Sequence, residues 1–325
     1  MEQKTLEISH LSVSFSSWRG TFTPVNDVSL EVRAGEIVGL VGESGCGKSM
    51  TARAVMGLIR APGKVTGGRI TLCGKDLLGL SEKEMSRLRG AELSMVFQDP
   101  MTSLNPVVPV GRQVEETILL HRQVSREEAR KQAAEIFEEV GIPEAEKRIR
   151  CYPHELSGGL RQRVMIAMAM VCRPRLLIAD EPTTALDVIV EAQILQLMRR
   201  MRDQGTSILF ISHNLGAVAQ LCDYACVMYA GQIVEQAEIC TLFDHPAHPY
   251  TRGLLGAVAS LHRRGETLDT IRGSVPALNR LPAGCSFAPR CDLCDERCMR
   301  ETPAMTSAGA GHPVRCFHAG EEAPV

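Results

Sequence analysis

Short apolar runs separated by turns make up the N-terminal part of the chain. Residues 11–15, 28–32 and 70–73 have the composition and spacing of strands, which predicts an antiparallel sheet. Ile37–Val41 is an unbroken apolar run, as expected for a strand buried on both faces. A glycine-rich loop follows, and residues 48–59 have the pattern of a helix. The order of strand, glycine-rich loop and helix is the first feature that indicates a function.

The middle of the chain changes to helical spacing. Residues 103–172 are predicted to be mostly helical, with a capping box at Ser125 and a helix stop at Gly141. Two buried strands, 176–179 and 207–211, come next. The helix between them is amphipathic and carries one apolar face, formed by Val190, Ile194, Leu197, Met198 and Met201. Alternating strands and helices predict an α/β fold with a mainly parallel core sheet covered on both sides.

The character of the sequence changes again beyond about residue 245. Prolines recur along residues 246–325, and five cysteines lie within 285–316. We therefore expect a main domain at 1–245, with an N-terminal antiparallel β subdomain and a helical subdomain at about 103–172, and a small cysteine-rich extension at 246–325. His245 and His248 each precede a proline and are predicted to be loop residues.

Composition narrows the class of protein. The chain has 325 residues and a formal net charge of −2, and it has no long basic run, which argues against nucleic acid as a partner. No apolar run reaches the roughly 18 residues of a transmembrane helix. The first ten residues lack the basic and apolar regions of a secretory signal. We therefore expect a cytosolic protein.

The loop at 42–49 has the form G-x-x-x-x-G-K-[ST] of a phosphate-binding loop. Its glycines allow consecutive backbone N–H groups to converge on phosphate oxygens at the start of a helix. Lys48 is expected to reach the β- and γ-phosphates, and the Ser49 hydroxyl is expected to bind Mg²⁺. Cys46 has two interpretations, a thiol whose pKa the helix N-terminus lowers, or a small residue that fits the loop.

A second phosphate cradle is predicted at Leu-Ser-Gly-Gly, residues 156–159. It offers the Ser157 hydroxyl and unpaired backbone N–H groups at the start of a helical pattern. Two cradles about a hundred residues apart suggest one nucleotide held between two copies of the protein. ATP is then expected to hold a dimer together, and hydrolysis to release it.

Candidate acid–base groups follow the predicted buried strands. Asp180 and Glu181 end one strand, where Asp180 is expected to face Mg²⁺ through water and Glu181 to deprotonate the attacking water. Gln98 ends another apolar run and could sense metal or water. His213 follows the strand 207–211 and could contact the γ-phosphate. A lone histidine after a strand is more often structural, but here its strand is expected to lie beside that of Asp180.

This ordered set of motifs resembles the ATP-binding subunit of an ABC transporter over about residues 5–320. The resemblance implies Walker A at 42–49, the Q-loop at Gln98, the signature at 156–159, Walker B ending in Asp180, catalytic Glu181, D-loop Asp187 and switch His213. The nucleotide ligands that it implies are Phe15, Gly42, Ser44, Gly45, Gly47, Lys48, Ser49, Met50, Ser157, Gly158, Gly159, Asp180 and Asp187, with Mg²⁺ at Ser49 and Gln98.

The same resemblance implies a head-to-tail dimer, in which Ser157 of one subunit meets the γ-phosphate held by Lys48 of the other. Phe15 is the implied adenine-stacking aromatic, with Trp18 as an alternative and a core role for Phe15 left open. Two positions depart from the family pattern, because Leu160 replaces a frequent glutamine and Asn214 a frequent aspartate. Neither departure removes a catalytic group.

Three stretches resemble dipeptide, oligopeptide and nickel importers. They are the Q-loop region at 97–106, the His-Pro-Tyr-Thr-Arg sequence at 248–252 and Gly-Cys-Ser-Phe-Ala-Pro-Arg-Cys at 284–291. Such a protein is expected at the cytoplasmic face of the membrane, with two permease subunits, a second ATPase of the same or a different chain, and an external solute-binding protein. Peptide is the preferred cargo and nickel or a metal chelate the alternative.

The clustered cysteines require a separate interpretation. Cys285, Cys291, Cys298 and Cys316 could hold a [4Fe–4S] cluster or a tetrahedral Zn²⁺, and Cys294 is an extra thiol. Disulfides are not expected in a reducing cytosol. The resemblance to the importer extension favours the cluster over zinc, with free thiols as a third possibility. The expected role of the cluster is to cross-link and stabilise a C-terminal segment that is too small to fold on its own core.

Two other classes of protein remain as rivals. One is a soluble ABC ATPase in translation or DNA repair, but such proteins carry two nucleotide domains or a long coiled-coil insertion, and this chain shows neither. The other is a regulatory protein that binds ATP without hydrolysing it. The presence of both Glu181 and His213 argues against the second class.

Overall fold

The computed structural model describes residues 3–18, 20–184, 186–260 and 271–321. This part of the chain falls into two units. The first comprises Val32–Glu36 and Cys73–Ile211 with the start of the chain up to Leu6. The second comprises Glu7–Glu31, Ile37–Leu72 and the described residues from Ser212 onward.

The elements follow one another along the chain in the order that the sequence pattern predicts. The strands are β1 (Lys4–Ser17), β2 (Gly20–Arg33), β3 (Ile37–Val41), β4 (Gly63–Leu72), β5 (Lys75–Asp76), β6 (Leu93–Val96), β7 (Leu176–Asp180), β8 (Ser207–Ser212), β9 (Tyr224–Tyr229), β10 (Gln232–Glu238), β11 (Thr306–Gly309) and β12 (His312–Val314). The helices are α1 (Lys48–Val55), α2 (Glu82–Leu88), α3 (Pro100–Ser103), α4 (Val110–His121), α5 (Arg126–Glu139), α6 (Ala145–Arg148), α7 (Gly158–Met170), α8 (Val188–Asp203), α9 (Leu215–Leu221), α10 (Ile239–Asp244), α11 (Pro249–Ser260) and α12 (Glu296–Arg300).

The first unit is built on the parallel strands β6, β7 and β8. β7 lies between the other two, with Leu176 opposite Ser207 and Asp180 opposite Ile211 in the register with β8. Every residue of β7 is buried, which explains why its sequence is continuously apolar rather than alternating. A parallel arrangement brings the carboxyl ends of these strands to one edge of the sheet, where Asp180 and Glu181 are found.

The helical subdomain belongs to the first unit. Helices α4, α5 and α7 pack on one another around side chains without solvent exposure, among them Ile118 and Phe137. The Ser125 hydroxyl caps α5 by accepting the N–H of Glu128, and Gly141 follows the helix with a left-handed φ of 74°. The helical pattern predicted for residues 103–172 is therefore confirmed.

The second unit holds a sheet in which β2, β1 and β4 lie side by side in that order. Only two residues connect β1 to β2, too few for a crossover, so this pair is an antiparallel hairpin. The structure thus agrees with the predicted N-terminal β subdomain. α1 is shorter than the predicted helix at 48–59, because the chain turns away at Gly57, which has a φ of 64°.

The strands that follow in the second unit are mixed in direction. β3 runs parallel to β9, whereas β10 is antiparallel to both β9 and β12, and β12 pairs with β11. The C-terminal hairpin β11–β12 therefore extends the sheet of the nucleotide-loop strand β3 through β10. None of the helices in the described residues is both long and apolar enough to span a lipid bilayer.

Candidate functional site

The predicted phosphate-binding loop lies between β3 and α1, and its glycines are required by the packing of the backbone. Gly42 has a φ of 151°, and a Cβ there would lie 2.1 Å from the carbonyl oxygen of Met228. Gly47 has a φ of 113°, and a Cβ there would lie 2.2 Å from the carbonyl oxygen of Pro24. Any side chain at either position would collide with fixed backbone, so the loop tolerates only glycine there.

The Lys48 side chain is folded back into this loop. It is only 4% exposed, and its Nζ donates to the carbonyl oxygens of Gly42 and Glu43 at 2.7 and 3.1 Å. Ser44 and Gly45 form the exposed outer side of the loop. A buried ammonium group surrounded by loop backbone beside the start of a helix is suited to binding a phosphate.

The Cys46 thiol is part of the packing of the loop. It is fully buried, and burial raises its pKa in spite of the opposing effect of Lys48. The interpretation of Cys46 as a thiol with a lowered pKa is therefore wrong, and the alternative of a small residue that fits the loop is supported.

Glu43 joins this loop to the C-terminal part of the second unit. Its backbone N–H donates to the Tyr250 hydroxyl at 2.9 Å. Its carboxylate accepts two hydrogen bonds from the guanidinium of Arg290, of 2.6 and 3.1 Å. The side chain of Arg290 is 4% exposed and that of Glu43 30% exposed, so this ion pair is largely shielded from water.

Aromatic rings surround the Arg290 side of this ion pair. Tyr229, Tyr250 and Phe287 contact one another with ring centroids 4.7–5.5 Å apart, and the Arg290 guanidinium lies 5.8 Å from the centre of the Tyr229 ring. These contacts were not predicted from the sequence. Arg290 lies in the Gly-Cys-Ser-Phe-Ala-Pro-Arg-Cys stretch at 284–291, but nothing in the spacing of that stretch indicates a contact with the phosphate loop.

Buried polar groups fix the start of the C-terminal segment. The Glu235 carboxylate has no solvent exposure and accepts hydrogen bonds from the N–H groups of Ala247 and His248 at 2.6 and 2.9 Å. Its Oε1 also lies 2.7 Å from Nε2 of His312 on β12. His248 is only 1% exposed, and burial lowers its pKa to about 3. His248 lies in the loop between α10 and α11, as predicted, but its burial was not predicted from the sequence.

In the first unit, Glu181 follows β7 directly and is nearly buried. Its Oε2 accepts a hydrogen bond of 2.9 Å from Gln98 Nε2 and one of 3.0 Å from the Thr184 hydroxyl. Its backbone has a φ of 48°, unusual for a residue with a side chain, and its N–H donates to Ile211 on the next strand. Asp180 beside it is 4% exposed. The structure thus brings together Gln98 and Glu181, which the sequence analysis identified separately.

The predicted second cradle also belongs to the first unit. Ser157 is exposed and caps α7 by accepting the N–H of Leu160, and Gly158 beside it is exposed. A Cβ on Gly159 would lie 3.2 Å from the side chain of Val190, at the start of α8. Asp187 caps α8 by accepting the N–H of Val190. The cradle therefore rests on the helix that Asp187 begins.

Three further candidates lie in the second unit. His213 is exposed directly after β8, and Asn214 caps α9 through its side-chain oxygen, so this departure from the family pattern keeps the capping function. Phe15 is half-buried and stacks on Phe22 with ring centroids 5.3 Å apart. Trp18 is 88% exposed.

The four clustered cysteines influence one another. Burial, with smaller contributions from the thiols of Cys316, Cys285 and Cys298, raises the pKa of Cys291 to about 12. Burial also raises the pKa of Cys298, to about 11. Among the described residues, the potential metal ligands that lie within 4.8 Å of one another are Asp295, Cys298 and His318.

The half-buried side chain of Arg252 lies near this cluster. Nε and one terminal nitrogen of Arg252 are buried and have no hydrogen-bond acceptor within the part of the chain that the structure describes. The charge of Arg252 lowers the pKa of Cys316, against the larger effect of burial, which raises it. Two buried guanidinium nitrogens without acceptors are donors that an anionic group at this position would satisfy.

Two family models match the chain. A model described as ABC transporter matches residues 25–184, and a model described as oligopeptide/dipeptide transporter, C-terminal region, matches residues 234–298. The oligopeptide transport ATP-binding protein OppD of Escherichia coli is 49% identical over 98% of this chain and 94% of its own length. The dipeptide transport ATP-binding protein DppD of Bacillus subtilis is 47% identical over 97% of this chain and 95% of its own length.

Solved structures give the same result for the fold. The dimeric structure of the bacterial ABC transporter cassette MJ0796 has a TM-score of 0.66 at 25% identity and covers 72% of this chain and 98% of that one. The structure of CbiO1 from Clostridium perfringens has a TM-score of 0.63 at 27% identity and covers 75% of this chain and 92% of that one.

Proposed function

The chain belongs to the ABC transporter family of ATP-binding proteins, and we propose that within this family it is the ATP-hydrolysing motor subunit of a peptide importer. The observation that carries the proposal is the match to oligopeptide and dipeptide transport ATP-binding proteins over nearly the whole chain. The C-terminal region matches a model of the same transporters. Because these relatives are named for peptides, a di- or oligopeptide cargo is favoured over nickel.

The family role divides the contacts with the nucleotide among the residues predicted from the sequence. Lys48 and the backbone of the phosphate loop, with Ser44 and Met50, bind the phosphates of ATP, and Phe15 stacks on the adenine. Ser49 and Gln98 would hold Mg²⁺, with Asp180 facing it through water, and the ion would supply charge stabilisation to the phosphates. Ser157, Gly158, Gly159 and Asp187 complete the site from the other subunit of a head-to-tail dimer.

Hydrolysis in this proposal depends on Glu181. Its carboxylate is nearly buried and accepts hydrogen bonds from Gln98 and Thr184, and in this role it accepts a proton from the attacking water. Gln98 donates to the same oxygen, so a change at the phosphate can reach the helices after the Q-loop through one amide. His213 is assigned to the γ-phosphate.

The assembly follows from the family role. Residues 1–245 form the ATP-binding domain, and residues 246–325 the importer-type extension, of which 261–270 and 322–325 lie outside the described residues. Two permease subunits hold this chain at the cytoplasmic face of the membrane together with a second ATPase, and a solute-binding protein delivers the cargo outside. The exposed side chains of Val188 and Ile189, 80% and 71% accessible at the start of α8, are available for the ATPase partner.

The proposal extends to a [4Fe–4S] cluster held by Cys285, Cys291, Cys298 and Cys316. The two Arg252 guanidinium nitrogens that lack acceptors, near Cys316, fit an anionic cluster. When bound, the cluster supplies four strong cross-links to a loop-rich segment.

Uptake of labelled peptides tests the proposed function. Cells that lack the chain are complemented with the wild type or with Glu181→Gln, and uptake of labelled di- and tripeptides is measured beside uptake of labelled nickel. We expect peptide uptake with the wild type and none with the variant. Nickel uptake without peptide uptake would instead identify the chain as the ATPase of a nickel importer.

A further inference from the structure

We propose that the C-terminal extension supplies Arg290 and Tyr250 as positioning residues for the ATP phosphates, acting through Glu43. The inference rests on the proposed binding of ATP at the phosphate loop. It assigns to the extension a direct effect on nucleotide affinity, in addition to its role as a folded appendage. Glu43 stands one residue after the first glycine of the loop, so whatever fixes Glu43 fixes the loop.

Three parts of Glu43 are held at once, two of them by the extension. Its N–H donates to the Tyr250 hydroxyl, and its carboxylate accepts both hydrogen bonds of the Arg290 fork. Its carbonyl oxygen accepts from Nζ of Lys48, the residue assigned to the β- and γ-phosphates. Glu43 therefore links the extension to the loop lysine through a single residue.

The charge of Glu43 explains why a partner is needed. A carboxylate in a phosphate-binding loop stands beside a ligand with several negative charges, and like charges in a poorly hydrated site repel strongly. Arg290 neutralises the carboxylate in a two-bond geometry that lysine cannot reproduce. With this cation removed, the unpaired carboxylate is expected to weaken the binding of ATP.

Arg290 is itself held in place by contacts other than that with Glu43. Its Nε donates to the carbonyl oxygen of Arg272 at 2.9 Å, and its guanidinium lies over the ring of Tyr229. It ends the short 3-10 turn Ala288–Arg290 and directly precedes Cys291. A side chain fixed in this way neutralises Glu43 with little loss of conformational freedom on binding.

A second ion pair, between Arg315 and Asp27, has a purely structural role and provides a matched control. Arg315 follows β12 and pairs with Asp27 on β2 at 3.0 Å, so it also fastens the C-terminal segment to the rest of the second unit. Its side-chain hydrogen bonds within the described part of the chain are to Ile233, Pro303 and Asp27, outside the phosphate loop. A substitution of Arg315 therefore tests how loosening the C-terminal segment affects ATP binding when the charge at the phosphate loop is unchanged.

The experiment is a double-mutant cycle on the full-length chain, with the Kd for Mg·ATP measured by calorimetry and KM and kcat measured in the assembled importer. Arg290→Gln is made in the wild type and in a Glu43→Gln background, with Arg290→Lys as the conservative variant and Arg315→Gln as the control. Melting temperatures are recorded for all of them. We expect Arg290→Gln to raise Kd and KM about tenfold, to change kcat less than about twofold, and to lose its effect in the Glu43→Gln background.

The outcomes separate the inference from the proposed function. An intermediate Kd for Arg290→Lys and a lower melting temperature with an unchanged Kd for Arg315→Gln would support the positioning role. An equal loss of affinity for Arg290→Gln in both backgrounds, or for Arg315→Gln, would overturn it in favour of a structural staple. If the wild type bound no ATP, the proposed function itself would fail.

Discussion

Nε2 of Gln98 donates a hydrogen bond of 2.9 Å to Oε2 of Glu181, although 83 residues separate the two along the chain. The amide and the carboxylate are held by different parts of the first unit, one after β6 and the other after β7. Any movement of the segment after Gln98 therefore changes the surroundings of the proposed base. The contact connects hydrolysis to the region that precedes the helical subdomain.

Substitution of Glu181 by glutamine is expected to abolish turnover while ATP still binds. The amide keeps the shape of the side chain but cannot accept the proton of water, and general-base catalysis contributes about 10²–10⁴ in rate. The ATP-bound dimer should therefore accumulate, which size-exclusion chromatography in the presence of Mg·ATP would detect. Thr184→Val removes one donor to Oε2 but keeps the carboxylate, and serves as the milder control. Hydrolysis at the native rate by Glu181→Gln would contradict the assignment of the base.

Two glycines of the phosphate loop should differ in their tolerance of alanine. Gly42 and Gly45 both have a positive φ, but only at Gly42 would a Cβ collide with backbone, 2.1 Å from the Met228 carbonyl oxygen. We expect Gly45→Ala to cost about 1–2 kcal/mol of unfolding free energy from backbone strain alone. Gly42→Ala should cost about 2–5 kcal/mol, because overpacking is added to strain. Denaturant unfolding measures both, and equal costs would refute the close approach.

The strands and the phosphate loop were predictable from the sequence because short-range residue patterns determine them. The strands β3, β7 and β8 are continuous apolar runs because both of their faces are buried, and the loop glycines follow from the backbone positions they must occupy. The ion pair of Glu43 and Arg290 spans 247 residues. Neither residue is distinguishable in the sequence from a solvated surface charge, so no local signal predicts the pair.

The burial of His248 escaped prediction for the same reason. A histidine before a proline is typical of a loop, and the sequence carries no sign that later residues pack over it. Burial depends on Phe287, whose ring centroid lies 5.7 Å from that of His248, and on the backbone of Arg315. Contacts of this kind are set by the tertiary fold, so they become visible only in the structure.

The cysteine site can be tested by metal analysis of protein purified without oxygen. We expect about four irons and four sulfides per chain, with the absorption spectrum of a cluster, and loss of both in Cys291→Ser. Cys240→Ser is the matched control, because Cys240 is an exposed cysteine outside the cluster. Stoichiometric zinc that survives in Cys291→Ser would instead indicate the mixed group of Asp295, Cys298 and His318.

The buried imidazole of His248 should make stability depend on pH. Its ordinary pKa is 6.5, and burial lowers the pKa in the folded protein to about 3. Between these two values the unfolded chain binds a proton that the folded chain does not, so the folded state loses stability as the pH falls below about 6.5. The loss approaches about 1.4 kcal/mol per pH unit until the pH nears 3, where the folded histidine also becomes protonated. His248→Asn keeps a side-chain acceptor for the N–H of Tyr250 but cannot titrate, and unfolding free energies of both proteins between pH 7 and 4 measure the difference. A wild-type curve parallel to that of the variant would show that His248 is not the group responsible.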